Sequence, residues 1–425
     1  MILGRGFWKL WAGNASANLA DGVVFISIPL LAAALTTDAV LIAGLAAVYS
    51  VVRLLVVLPL GVYVDRFDRR TILWAANLAR GIFLAGAVSA FHTGHGSLVF
   101  LYCLYAVLGV LETVADNAAL SILPDIVPAA QLDRANGRIS AAQLAADEFV
   151  GPPLGGFLFA LAVALPLSVT GGIYLAACVF FLALPRRRLP VVSNSRTVRR
   201  SVFREAVEGA DWLRGNRLLS GLAIVGGLAS VAYMMPFSIL VLFGRQVLEL
   251  APAGYGVLLA CSAVGGLIGS FATARLRSRF GYAWTVTGSL ALGSSTLIGL
   301  SFTQTPWMAA LLLAAYILHA VVWGICVNSI RQRLVPAQLR GRVNASSKVL
   351  GLIGLTLGAL FGGGLADKFG ISAPFFAGGL LFGVCALVAW SLFRSGMGDE
   401  LYVLGEDEKS PAGIRRRSRP SGRRR

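Results

Sequence analysis

Twelve runs of about 20 mostly apolar residues follow one another along this chain, each long enough to cross a bilayer as a helix. They fall at 13–36, 40–62, 72–92, 97–120, 140–163 and 166–184, then at 218–243, 252–274, 281–303, 306–328, 346–366 and 372–393. The connecting stretches are short except 185–217 and the tail from Arg394 to Arg425. Of the 425 residues 57% are hydrophobic and 13% are charged, where a soluble domain carries about 25% charged residues. No single soluble core of this size could bury so much apolar surface. The expected fold class is an all-α polytopic membrane protein: twelve transmembrane helices in two pseudo-symmetric six-helix bundles.

The net charge of +17 would by itself suggest a nucleic-acid binder. At a mean hydropathy of +0.76 it indicates basic loops instead, and no nucleic-acid partner is expected. With the N-terminus placed in the cytoplasm, only Arg245 and Lys368 fall in outer loops, and only Arg53, Arg80 and, at the inner end of its span, Lys348 in spans. Every other Lys and Arg lies on the inner side, so both termini are expected to be cytoplasmic, in a plasma or inner membrane. Cys103, Cys178, Cys261, Cys326 and Cys385 are scattered inside apolar runs, which argues against a disulfide framework or a zinc site. The first run is long, contains Asp21 and leads directly into a second, so a cleavable signal is not expected.

The expected organisation is a first bundle at 1–184, a basic linker at 185–217, a second bundle at 218–393 and a basic tail at 394–425. The linker carries Arg186, Arg187, Arg188, Arg196, Arg199 and Arg200, then places Phe203, Val207, Ala210 and Leu213 on one helical face. This reads either as a helix on the inner leaflet, drawn to anionic lipid, or as a solvated basic connector. The tail, with Arg415–Arg417 and Arg423–Arg425 among Ser, Pro and Gly, has the composition of a disordered segment.

The two halves repeat each other at a constant shift. Gly61 meets Gly269, Arg69 meets Arg277, Arg134 meets Arg342, Asn136 meets Asn344, and Val127-Pro128-Ala129 meets Val335-Pro336-Ala337. Apolar sequence matches by chance at Leu or Ala, but not repeatedly at Arg, Asn and Pro within loops. Two parallel six-helix repeats are a transporter architecture, with the substrate site between them near the bilayer midplane.

The loop Gly61-Val-Tyr-Val-Asp65-Arg66-Phe-Asp68-Arg69-Arg70 resembles the major facilitator signature G-x-x-x-D-R-x-G-R-R, with Asp68 in place of the usual glycine. Gly151-Pro152-Pro153-Leu154-Gly155-Gly156 resembles the GPxxGG antiporter motif. Leu123-Pro124-Asp125-Ile-Val-Pro128 and Arg340-Gly341-Arg342-Val-Asn344 resemble the enterobactin-exporter and macrolide-efflux branch of drug:proton antiporters. The resemblance covers about residues 7–395 and implies the major facilitator fold and alternating access. It also implies that Asp65 faces the start of span 11, near Asn344 to Ser347, where the helix dipole favours an anion and the contact holds the cytoplasmic side shut. Arg66, Arg69 and Arg70 read equally as inner-leaflet anchors. The second copy is eroded, with Thr273 at the Asp65 position and Ser278 at that of Arg70.

Glycines recur every four residues at Gly151 and Gly155, at Gly265 and Gly269, and at Gly354, Gly358 and Gly362, a spacing that lets helices approach closely. The resemblance makes spans 2, 5, 8 and 11 the sliding contacts between halves. Pro152 and Pro153 remove two backbone donors and should kink span 5.

Asp21, Arg53, Arg80, Glu112, Asp116, Asp147 and Glu148 all fall within spans of the first half. Asp21, Glu112 and Asp147 lie about 5 Å to the cytoplasmic side of their helix centres at 1.5 Å rise per residue. A charge at a helix centre costs about 2.5–3.5 kcal/mol on insertion, so each must pair, face water or be neutralised. Asp21 is the first candidate proton carrier because the resemblance places an acid here on the cavity-lining first helix; Glu112 and Asp116, one turn apart on one face of span 4, are the others. The arginine that drug antiporters often carry on span 4 is missing. Arg80 reads as structural, Arg53 as structural or functional, and Asp147 and Glu148 as one paired and one facing solvent. Tyr49, Tyr233, Phe237, Tyr316, His319 and Trp323 are candidate cavity residues, with plain packing the alternative.

These readings lead to a proton-coupled exporter of small amphipathic molecules, drug- or macrolide-like. A siderophore exporter or lipid flippase of the same fold is the alternative, and a non-transporting scaffold a third. The expected partners are a small-molecule substrate, protons and membrane lipids, and the chain is expected to act as a monomer. No cofactor or metal is expected, and no nucleophile elbow, metal cluster or phosphate loop suggests an enzyme.

Overall fold

The computed structural model describes residues 3–64, 68–128, 131–185, 202–336 and 339–395. The basic run at 186–200, the tail after Ser395, and Asp65 with Arg66 lie outside the described residues. The first half contains α1 (Arg5–Leu35), α2 (Ala39–Val64), α3 (Arg69–His92) and α4 (Leu98–Ile126). It continues with α5 (Leu132–Leu144), a π-helical turn (Ala145–Val150), α6 (Gly151–Leu161) and α7 (Leu165–Leu182). After α8 (Val202–Arg214) the second half runs through α9 (Arg217–Phe237), α10 (Leu240–Leu242) and a π turn (Phe243–Val247). It ends with α11 (Pro252–Ser301), α12 (Pro306–Leu334), α13 (Arg340–Phe369) and α14 (Ala373–Ser395).

Eleven of the described helical stretches are long and apolar enough to cross a membrane. One of them, α11, is two spans: Gly281 at φ 74° breaks the 50-residue helix where the sequence places the turn between spans 8 and 9. Only glycine takes that backbone region without strain, so a single residue reverses the chain. Twelve crossings result. Several helices outrun their apolar cores: α1 begins at Arg5 rather than 13, and α12 continues to Leu334 rather than 328. The added turns carry Arg5 and Lys9 in α1, and Arg331 and Arg333 in α12. Hydropathy marks the width of a bilayer core, whereas a helix stops only where its hydrogen bonding stops.

The irregularity in span 5 is a π-helical turn that lies one turn upstream of the prolines. Pro152 and Pro153 occupy the first turn of α6, where missing N–H groups cost no helical bond, and the π turn at Ala145–Val150 absorbs the irregularity.

Within the first half α1 packs on α6 and α7, α3 on α4 and α7, and α2 on α4; within the second, α13 and α14 pack on α9, and α12 and α14 on α11. The glycine stripes serve these contacts inside each half. A Cβ on Gly151 would fall 2.7 Å from the Cα of Gly22 on α1, and one on Gly269 would fall 2.9 Å from the carbonyl oxygen of Leu318 on α12. Gly354, Gly358 and Gly362 face the carbonyls of Gly227, Val231 and Met235 on α9. The halves meet through neighbouring glycines instead: a Cβ on Gly156 would lie 2.8 Å from the Cα of Gly256, and one on Gly363 2.8 Å from the Cβ of Ala43. Arg245 adds a hydrogen bond to the carbonyl of Ala33. All three contacts lie at the end of the bundle opposite the termini.

Helix α8 packs against α13, with Glu208 paired to Arg342 at 3.1 Å and Leu213 buried. Val207 and Ala210 line an apolar crevice with Leu350 and Ile353. Its apolar face is thus directed in part at protein, which the sequence pattern alone does not separate from lipid.

Candidate functional site

Where the halves face each other, a cavity of about 280 Å³ is lined by Asp21, Phe25, Tyr49, Arg53, Glu112, Asp147 and Pro152 on one side. Tyr233, Phe237, Leu259, Ser262 and Ile317 line the other. An apolar chamber of about 220 Å³ shares Phe25, Tyr49, Arg53, Tyr233 and Phe237 with it and adds Pro29, Ile42, Leu45 and Val241.

The first-half wall carries two charge networks. In one, Arg80 Nη1 lies 3.3 Å from Asp21 Oδ1 and 3.4 Å from Oδ2, Tyr174 donates its hydroxyl to Asp21 Oδ1 at 2.6 Å, and the guanidinium lies 5.0 Å from the Tyr174 ring centroid. The Arg80 side chain is 1% exposed, and its Nε and Nη2 have no hydrogen-bond partner. Asp21 is the ion-pair partner that the structure gives this buried cation. In the second network Arg53 Nη1 lies 3.6 Å from Glu112 Oε1, and Tyr49 donates its hydroxyl to Glu112 Oε2. Tyr49 in turn stacks on Tyr105 at 4.5 Å. Arg53 is 32% exposed, so this pair faces the cavity while Arg80 sits behind it.

Asp147 reaches the cavity from the π turn, whose extra residue rotates the face that α5 presents. Asp116 is half-buried and lies off the cavity surface. Glu148 has a described backbone only.

The opposite wall is aromatic. Tyr233 stacks on Phe237 at 4.4 Å, and both stack on Tyr316 at 6.1 and 5.4 Å. Tyr316 and His319 do not reach the cavity surface: Tyr316 is fully buried behind the first layer, and His319 packs edge-on against Phe382 at 5.0 Å with its Nδ1 against the Tyr316 carbonyl. Trp323 is also absent from the lining. Helical spacing marks an inward-facing stripe but not how many layers separate a residue from the cavity. Tyr174 escapes sequence reading altogether, because a tyrosine in an apolar run has nothing to mark its hydroxyl until the acid it serves is located, and Tyr105 is marked only by the Tyr49 ring it stacks on.

In the signature loop, Arg69 pairs with Asp125 at 2.9 Å, and Arg70 donates to the carbonyls of Phe181 and Leu182. These bonds tie the start of α3 to the ends of α4 and α7. Gly61 falls in the last turn of α2. In the second copy Thr273 is buried and donates to the Gly269 carbonyl at 2.6 Å, so no acid stands there.

This arrangement of twelve crossings, two repeated halves and a charged cavity between them agrees with the family comparison. The model of the Major Facilitator Superfamily matches residues 10–345 and, again, 222–420. The chain belongs to the Major Facilitator Superfamily. It resembles the enterobactin exporter EntS of Escherichia coli O81 (strain ED1a) and of Escherichia coli O139:H28 (strain E24377A / ETEC). Each is 25% identical over 339 residues, covering 77% of this chain and 78% of the relative. Among solved structures, a bacterial homolog of the human lysosomal transporter Spinster, inward-facing and occupied, matches with TM-score 0.73 at 14% identity, over 92% of this chain and 96% of that one. The nucleoside transporter NupG matches with TM-score 0.70 at 11% identity, over 92% and 100%. A bacterial homologue of the iron transporter ferroportin, inward-facing, matches with TM-score 0.70 at 17% identity, over 94% and 100%. Major facilitator membership makes this a multi-pass membrane transporter with a small-molecule substrate.

Proposed function

We propose that the chain is a proton-driven exporter of small amphipathic molecules, working by alternating access in a plasma or inner membrane with both termini cytoplasmic. The observation that carries this reading is the cavity's division: exchangeable charge on the first-half wall, stacked aromatic surface on the second. A flat apolar group fits against Tyr233 and Phe237, while a polar or basic group meets Glu112, Asp21 and Asp147. Three acids against one arginine on the cavity surface favour a cationic or neutral substrate. The second reading, a siderophore exporter, draws on the enterobactin-exporter relatives, and an anionic catecholate fits this wall less well.

The two networks divide the work. Protonating Asp21 strands a fully buried guanidinium, whereas protonating Glu112 leaves Arg53 beside the cavity and Tyr49. Glu112 is therefore the proton carrier in this scheme, and Asp21–Arg80 the fixed pair that shapes the wall. This moves the carrier from the residue that the sequence puts first to its neighbour on α4. Protonation releases Arg53 from Glu112, and the substrate's basic group competes for the same carboxylate, so the two ligands exclude each other.

The test is accumulation and toxicity of amphipathic compounds, with ethidium as the first probe, in cells lacking or overproducing the protein. Lower accumulation on overproduction, abolished by collapse of the proton gradient, is expected. Accumulation that ignores the gradient would exclude proton coupling. Orientation is checked by a cysteine placed in the linker at 186–200, which should be unreactive toward an impermeant thiol reagent in intact cells.

A further inference from the structure

The apolar chamber beside the charged cavity has a direction of its own. Phe25, Tyr49, Arg53, Tyr233 and Phe237 form the floor that the two share, and from there the chamber runs toward the end of the bundle opposite the termini. Along α1 it reaches Pro29, which at 1.5 Å rise per residue lies about 12 Å beyond Asp21. Along α2 it reaches Ile42, next to the Ala43 that meets Gly363. Along α11 it reaches Tyr255, next to the Gly256 that meets Gly156. The chamber ends where the two halves touch.

Both halves supply its walls, and the walls are apolar. Ile42 and Leu45 of the first half and Leu240, Val241 and Leu352 of the second line it, all of them buried. The Ser238 hydroxyl on its surface donates to the Met235 carbonyl at 3.1 Å. Among the described lining residues Arg53 alone is charged, and it stands at the floor beside Glu112. A buried water needs two to four polar partners, and walls of this kind suit hydrocarbon better.

We propose that the chamber receives an unbranched hydrocarbon tail, so that the transported molecule is a long, single-tailed cationic amphiphile with its head at Glu112. The head group rests on the exporter reading above; the tail site adds the class of molecule. An extended chain of about ten carbons covers the depth from Asp21 to Pro29 at ordinary bond lengths and angles. A longer tail meets the seam between the halves. Because each half supplies one side of the chamber, parting of the halves at that end dismantles it and frees the tail together with the head.

Equilibrium dialysis of the full chain in neutral detergent tests this, with alkyltrimethylammonium ions from butyl to hexadecyl and detergent alone as the blank. Binding is referred to the free aqueous concentration. Wild-type affinity should rise about fourfold per methylene, the factor that corresponds to ~0.8 kcal/mol, and stop rising near decyl. Ala46→Phe puts a ring into the chamber and should move that break to shorter chains. Leu355→Ala widens the chamber and should move the break to longer chains, so either variant decides if the other does not accumulate. Glu112→Gln should weaken every length by the same factor and leave the break in place. The same break in the wild type and both chamber variants would overturn the tail site. So would an affinity that keeps rising through hexadecyl, which is how a detergent surface behaves. Unchanged binding in Glu112→Gln would overturn the head-group reading, while the chamber variants still decide the tail. No binding at any length would overturn both.

Discussion

The two halves of this transporter share a backbone plan and differ in almost every charged position within it. Moved by 208 residues, Asp21 falls on Ala229, Arg53 on Cys261, Arg80 on Gly288, Glu112 on Ala320, Asp116 on Gly324 and Asp147 on Leu355. Partners have gone with the charges: Tyr174, which donates to Asp21, falls on Phe382, which packs against His319 and Tyr316. A buried charge without its partner costs more than the pair, so the networks are present or absent as units. One half is a charged wall, the other an aromatic one.

Breaking the most deeply buried unit should have the largest effect. Arg80→Leu leaves Asp21 without its cation and is expected to cost about 3–5 kcal/mol of stability, read as loss of folded protein by thermal unfolding in detergent. Asp21→Asn combined with Arg80→Leu should recover most of it, because both charges then leave together. A double variant no more stable than Arg80→Leu would mean that the arginine contributes through packing alone. Next comes Tyr174→Phe, which imports the second-half residue into the first half. It removes one hydrogen bond to a carboxylate and should cost about 1.5–3 kcal/mol, while Phe382→Leu, with no charge to serve, should show only a packing loss.

A smaller effect is expected from the glycines that bring the halves together. Gly156→Ala places a Cβ 2.8 Å from the Gly256 backbone, and overpacking of this kind costs about 1–3 kcal/mol. The closed contact at the end opposite the termini should weaken and transport fall about tenfold, a factor that corresponds to roughly 1.4 kcal/mol. Its repeat mate Gly364 has open space around the added methyl, so Gly364→Ala should transport normally. Equal behaviour of the two would show that the Gly156 contact does not gate.

Much of this was legible in the sequence because bilayer length and loop charge act over whole segments. The twelve apolar runs, the connection between spans 8 and 9 and an irregularity beside Pro152 can each be read one segment at a time. The buried charges were equally visible, since an acid in an apolar run must be accounted for. Their pairing was not. Asp21 and Arg80 are 59 residues apart and Asp21 and Tyr174 are 153 apart, and only helix packing decides that Arg80 answers Asp21 while Arg53 answers Glu112. The glycine stripes marked close approach without naming the partner, for a related reason. Spacing reveals that a helix is closely approached, but not whether the neighbour belongs to its own half, and Gly155 and Gly156 face Val23 of the first half and Gly256 of the second.

The central claim is that the transport proton resides on the cavity-facing pair of the first half, at Glu112. Its most direct test is uphill transport in proteoliposomes with an imposed pH difference, using ethidium or whichever compound the accumulation screen identifies. Glu112→Gln keeps size and most hydrogen bonding, so it should still exchange substrate across the membrane at equilibrium, with weaker binding of a basic group, while losing accumulation against a gradient. Asp21→Asn should lower stability yet retain pH-driven accumulation per folded molecule. Uphill transport by Glu112→Gln at the wild-type rate would contradict the account, and loss confined to Asp21→Asn would return the proton to α1.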